Sequence, residues 1–119
     1  MKVLLVDDSN SIAMVVGGML KEIGHEVIRA VHGKEAIDQI NSHSDIDLIL
    51  LDWNMPEMDG LEFLKYNHEK KIFTNPIVMM TTENKPEKIM MALEYGAVEY
   101  IMKPFTQDIL VSKIETVTK

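Results

Sequence analysis

Leu48–Gly60 reads LILLDWNMPEMDG. Four apolar residues in succession are the pattern of a strand covered on both faces, because a strand with one wet face would alternate. The run ends on Asp52 and breaks at once into Trp53, Asn54, Met55 and Pro56. A carboxylate is costly at the end of a buried strand. It must therefore do something there that Asn or Ser would not.

Working outward, a doubly covered strand needs helices on each side, and the flanking sequence offers them. Val3–Val6 is a second continuous apolar run. Ile12, Val15, Val16, Met19, Leu20 and Ile23 follow at helical spacing and predict an amphipathic helix ending at Gly24. A strand is expected over Glu26–Val31, then a short helix bearing Ala36, Ile37 and Ile40. After the Leu48–Leu51 strand, Leu61–Tyr66 opens a third helix and Pro76–Met80 forms a fourth strand. Pro86 falls in the first turn of a helix with an apolar stripe at Ile89, Ala92 and Leu93. Val98–Met102 is the fifth strand, and Thr106 caps a last helix bearing Ile109, Leu110, Ile114 and Val117. Five strand–helix units in a short chain predict an α/β fold with a parallel sheet covered by helices on both faces. Gly17-Gly18 in mid-helix conflicts locally, at about 1 kcal/mol each relative to Ala. Close backbone packing is the preferred explanation, a deliberately soft helix the other.

The chain of 119 residues predicts one domain, 1–119. With 46% hydrophobic residues and a mean hydropathy of -0.01, it has the composition of a soluble globular protein. A formal charge of -7 opposes binding to nucleic acid. The absence of cysteine excludes disulfide and thiol chemistry. MKVLLVDD is too short an apolar run for a secretory leader, and none reaches the ~20 residues of a membrane span. A cytoplasmic protein without membrane insertion is expected. Ten methionines are read as core filler, with an adaptable partner surface as the minority reading.

Ligands of open α/β sheets bind beyond the carboxyl ends of the strands. The strands deliver there Asp7-Asp8, Val31-His32, Asp52, Thr81-Thr82 and Lys103-Pro104. Individually these are weak signals: Asp8 is as readily a helix N-cap, and a lone Thr or Lys means little. Together, three carboxylates repel one another unless positive charge lies among them. Mg²⁺, which takes oxygen ligands, and the ammonium of Lys103 would supply it. One carboxylate is then free to attack phosphorus, giving an aspartyl phosphate, with Thr and Lys on the equatorial oxygens. Asp52, on the middle strand, is the expected nucleophile.

VDDS, LLDWNMPEMDG, MMTTE and YIMKPF occur in an order and spacing that resemble the receiver domain of two-component response regulators, from Met1 to nearly Lys119. DWNMP, TTE and the aromatic residue before Ile101-Met102-Lys103 are most similar to the single-domain chemotaxis type within that family. The resemblance implies a flavodoxin-like strand order 2-1-3-4-5 in a three-layer α/β/α fold with five helices. It implies that Asp52 takes a phosphoryl group from a sensor histidine kinase, a phosphotransfer protein or a small donor such as acetyl phosphate. Asp8 would ligate Mg²⁺ directly, Asp7 largely through water, and Asp52 and the main-chain carbonyl of Asn54 would complete the protein ligands. Thr81 and Lys103 would contact phosphoryl oxygens, and the bond to Pro104 would be cis. Thr81 and Tyr100 would form the switch, Asn54 and Glu83 would tune a short phosphoryl lifetime, and the fourth helix, fifth strand and fifth helix would carry the output face. The implied product is a signalling switch, monomeric before phosphorylation, with a downstream target such as the flagellar motor switch. Trp53, the sole Trp, should report metal binding, its structural role being that of an amphipathic residue at the sheet rim. Two departures stand out: the first helix lacks the family's early basic residue, and Gly17-Gly18 is unusual there.

Rival readings are distinguishable. A haloacid-dehalogenase-type phosphatase would want Asp where Asn54 stands, and a cap for its substrate. A flavodoxin-like FMN binder would present hydroxyls and amides where DDSNS presents two carboxylates. Among receivers, the runner-up is a phosphorelay intermediate or a receiver excised from a longer regulator. A stop after Lys119 would favour the stand-alone form.

Overall fold

Leu48–Asp52 forms β3, and every residue of it is buried. A computed structural model describes residues 1–118; Lys119, the last residue of the expected domain, lies outside the described residues. β3 pairs in parallel with β1 (Lys2–Val6) and with β4 (Ile77–Thr81), which is also buried throughout. β2 (Glu26–Ala30) and β5 (Glu99–Met102) close the edges, giving the order β2-β1-β3-β4-β5. The order implied by the resemblance is borne out. The crossovers are α1 (Asn10–Glu22), α2 (Gly33–Ser42), α3 (Gly60–Lys70) and α4 (Pro86–Glu94), and α5 (Gln107–Thr118) follows β5.

The two-residue period of the strands splits the interior into two cores. Leu4, Val6, Ile49, Leu51 and Met79 pack against Ala36, Ile40, Phe63, Leu64 and Ala92 of α2, α3 and α4. Val3, Leu5, Leu48, Leu50, Val78 and Met80 pack against Ala13, Val16 and Leu20 of α1 and Leu110 and Ile114 of α5. Each fully buried Leu or Ile contributes about 1.5–3 kcal/mol, so the sheet's middle strands are its anchor.

Local caps fix where the helices begin. Ser9 Oγ accepts the Ile12 amide at α1, and His32 Nδ1 accepts the Glu35 amide at α2. Asp59 and Glu62 form a capping box at α3, and Thr106 Oγ1 accepts the Ile109 amide at α5, as expected from the sequence.

Several expectations need correction. α1 is rotated so that Ala13, Val16, Gly17 and Leu20 face the sheet, leaving Ile12 and Val15 exposed. The inward set has the same helical spacing, so periodicity alone could not choose between the two faces. Leu93 and Ile109 are likewise exposed. Close packing does not account for the glycine pair. A Cβ on Gly17 would make ordinary contact with Leu5 Cδ2 at 3.9 Å, and one on Gly18 would meet nothing within 4 Å. The methionines divide evenly: Met79 and Met80 are buried and Met19, Met55 and Met58 pack partly buried against the cores, whereas Met1, Met14, Met90, Met91 and Met102 are exposed. Trp53 is no rim residue, because its side chain belongs to the core shared by α2, α3 and α4.

Candidate functional site

Parallel strands all end at the same edge of the sheet, so topology delivers Asp7, Asp52, Thr81 and Lys103 to one place. One oxygen from each of Asp7, Asp8 and Asp52 lies within 4.8 Å of the others. Lys103 Nζ joins the group, donating to Asp52 Oδ1 at 2.6 Å and to Asp7 Oδ2 at 3.2 Å. The three paired side chains are nearly enclosed, with 12%, 9% and 1% exposure for Lys103, Asp52 and Asp7. Asp8 is exposed. Ser9 caps α1, so Asp8 is not spent on that duty.

Backbone geometry fixes each carboxylate. The Asp7 amide donates to the Ala30 carbonyl at 3.0 Å, and Asp7 Oδ1 accepts the Ser9 amide at 2.9 Å. Behind Asp52, the Gly60 amide donates to the Trp53 carbonyl at 2.8 Å. A Cβ on Gly60 would run into the Asp52 carbonyl oxygen and Trp53 Cα, both backbone atoms. Only glycine lets α3 start this close to the end of β3. The Lys103 amide donates to the Thr81 carbonyl at 2.9 Å, and the Lys103–Pro104 bond is cis, as expected.

Burial pushes the Asp52 carboxyl above the ordinary carboxylate range. The hydrogen bond and charge of Lys103 oppose that shift, while the charge of Asp7 adds to it. One ammonium against three carboxylates leaves the pocket with excess negative charge. Its donors are all hard oxygens, and the exposed Asp8 leaves it open on one side. That donor set fits Mg²⁺, which prefers carboxylates and keeps several waters.

The remaining expected residues are more dispersed. Thr81 is buried at the end of β4, its Oγ1 accepting the Glu83 amide at 2.8 Å, which leaves the hydroxyl proton free to donate. Asn54 is exposed and Glu83 is half-buried in the loops after β3 and β4. Tyr100 lies along β5 opposite Met79, half-buried against the core, with Lys113 Nζ 5.6 Å from its ring centroid. It is a residue of the sheet edge rather than of the acidic pocket. Beside Lys103 and Pro104, an open apolar groove of about 410 Å³ is lined by Ile12, Val15, Met19 and Phe105.

The sequence reading missed Arg29. From β2 its Nη2 donates to the Asp7 carbonyl and its Nη1 to Asn10 Oδ1, both at 2.8 Å. A lone cation inside the run EVIRAV was the available signal.

Comparison with known proteins agrees with this fold. Residues 3–115 match the response regulator receiver domain. A chemotaxis protein CheY homolog of Campylobacter jejuni is 43% identical over 119 residues, covering 98% of this chain and 92% of the relative. The chemotaxis protein CheY1 of Helicobacter pylori is 40% identical, covering 98% and 96%. Among solved structures, the chemotaxis protein CheY4 of Vibrio cholerae superposes with a TM-score of 0.90 at 38% identity, covering 98% of this chain and 97% of that one.

Proposed function

Because the chain belongs to the response regulator receiver domain family and is a two-component signalling switch of the chemotaxis type, we propose that Asp52 is its phosphoacceptor. The observation that carries this reading is the convergence of Asp7, Asp8 and Asp52 on one point, with Lys103 bridging two of them. Asp7, Asp8, Asp52 and the Asn54 carbonyl would hold Mg²⁺. The ion, when bound, neutralises charge on the phosphoryl oxygens and so lowers the barrier to transfer.

The chain's own residues do the rest. A carboxylate oxygen of Asp52 attacks phosphorus, and the bond to the phosphohistidine nitrogen, or to the oxygen of a small donor, breaks. The Lys103 ammonium then exchanges part of its pairing with Asp52 for a phosphoryl oxygen. Thr81 turns its hydroxyl from the Glu83 amide and donates to another oxygen. Tyr100 follows Thr81 inward, which favours one arrangement of α4, β5 and α5 for a downstream target such as the flagellar motor switch. The apolar groove beside Lys103 gives a sensor kinase or phosphotransfer protein a surface next to the acceptor. The protein is no turnover enzyme: its only chemistry is its own phosphorylation and hydrolysis. It acts as a cytoplasmic monomer before phosphorylation, its receiver domain spanning 1–119.

Incubation with acetyl phosphate and Mg²⁺, followed by intact mass, should add one phosphoryl group, lost in EDTA and in Asp52→Asn. Retention of the adduct in Asp52→Asn would remove Asp52 from its assigned place. Asn54→Ala and Glu83→Ala should each change the decay rate of the phosphorylated protein, by less than the roughly hundredfold low end of general acid–base effects. Unchanged decay in both would leave the lifetime assignment without support.

A further inference from the structure

The side chain of Arg29 leaves an edge strand and crosses to the loop that carries the acid pair. β2 pairs with β1 in the register Leu5↔Arg29, so Arg29 shares the α1 face of the sheet with Leu5. Its guanidinium forks between the Asp7 carbonyl and the Asn10 side chain, at the first residue of α1. Asp7 is thereby gripped from β2 twice, because its own amide donates to the neighbouring Ala30 carbonyl. Asp8 and Ser9 lie between the two points of the fork.

Arg29 is held at a cost. Its Nε is buried without a hydrogen-bond partner, and a buried unpaired donor costs about 1–3 kcal/mol. The charge is not spent on a carboxylate either, since no ion pair involves Arg29 among the described residues. The first turn of α1 has no acidic residue that could tie the loop down by charge. A side chain kept in place with one donor unpaired and no counterion is one whose two remaining bonds matter.

We propose that Arg29 is a positioning residue of the acidic site, fixing the Asp7–Asn10 loop so that Asp7 and Asp8 converge with Asp52 before any cation arrives. The inference rests on the proposed Mg²⁺ site and adds to it a residue outside the pocket. Two effects of Arg29 on a divalent cation have opposite signs. Its positive charge repels the ion, while its fork preorganises the ligands. Arg29→Lys separates them, because lysine keeps the charge but is a point donor that cannot bridge two acceptors in the plane of a guanidinium.

The test is Mg²⁺ titration of the unphosphorylated protein by calorimetry, with amide hydrogen exchange of Asp8 and Ser9 measured in EDTA. Arg29→Lys should weaken Mg²⁺ binding about tenfold, as loss of groups that orient metal ligands does. It should also speed exchange at both amides. Asn10→Ala removes one arm of the fork and no charge. It should weaken binding in the same direction by a smaller factor, and it decides the matter if Arg29→Lys does not fold. Wild-type affinity and exchange in Asn10→Ala and in a folded Arg29→Lys would overturn the proposal while leaving the Mg²⁺ site intact. No Mg²⁺ binding by the wild-type protein would overturn the site itself, and with it this role for Arg29.

Discussion

Asp52 ends a strand that is buried throughout, which takes its carboxylate away from water. Its carboxyl titrates above the ordinary range because burial penalises the anion more than Lys103 rewards it. The folded state therefore holds this proton more tightly than the unfolded chain. Its contribution is most favourable below the unfolded carboxylate range and is lost as pH rises through the raised value. Asp52→Asn cannot ionise, so at neutral pH in EDTA it should melt at a higher temperature than the wild type, with the gap closing on acidification. An equal or lower melting temperature at pH 7 would contradict the electrostatic account. Lys103 is the converse case. Lys103→Met leaves Asp7 and Asp52 enclosed without a cation, and breaking a buried pair in this way costs about 3–5 kcal/mol. Thermal unfolding should show that loss at pH 7 and partial recovery on acidification, where the Asp52 carboxyl takes up its proton.

At the scale of elements, the strands were more legible than the helix faces. Val3–Val6 and Leu48–Leu51 could be recognised because continuous burial leaves only one reading of an apolar run in a short α/β chain. α1 was less legible, since Ile12, Val15 and Met19 and the truly inward Ala13, Val16, Gly17 and Leu20 share one period and differ only by a rotation. Contact with β1 sets that rotation, and a contact is not a property of the helix sequence. The glycine pair misled for a related reason: crowding was inferred where Gly18 faces open space. The structure thus favours the other explanation, a locally soft helix. Gly18→Ala should then stabilise the protein by about 0.5–1 kcal/mol through backbone entropy alone. Denaturant melts with an unchanged m-value should register it, and a destabilised Gly18→Ala would mean that an unseen contact needs the glycine.

For the whole molecule, the acidic site was legible because it is a consequence of topology. Five parallel strands end at one edge, where Asp7, Asp8, Asp52 and Lys103 come together and Thr81 ends the neighbouring β4. Arg29 was not legible because its role depends on β2 being the edge strand beside β1, an order the apolar pattern does not encode. The same convergence makes the fold and the site one thermodynamic unit, since the proposed ligands come from the end of β3 and from the loops after β1 and β3, which separate on unfolding. A cation that binds only the folded protein adds about 2.7 kcal/mol at a hundred times its dissociation constant. Mg²⁺ should therefore raise the melting temperature of the wild type in a saturable way, beyond any effect of NaCl at matched ionic strength. Asp8→Ala should lose most of this increment without becoming unstable in EDTA, because Asp8 is exposed and caps no helix. If MgCl₂ and NaCl shifted the wild-type transition equally, the pocket would be screening charge rather than binding an ion, and Asp52 would lack the partner that phosphoryl transfer requires.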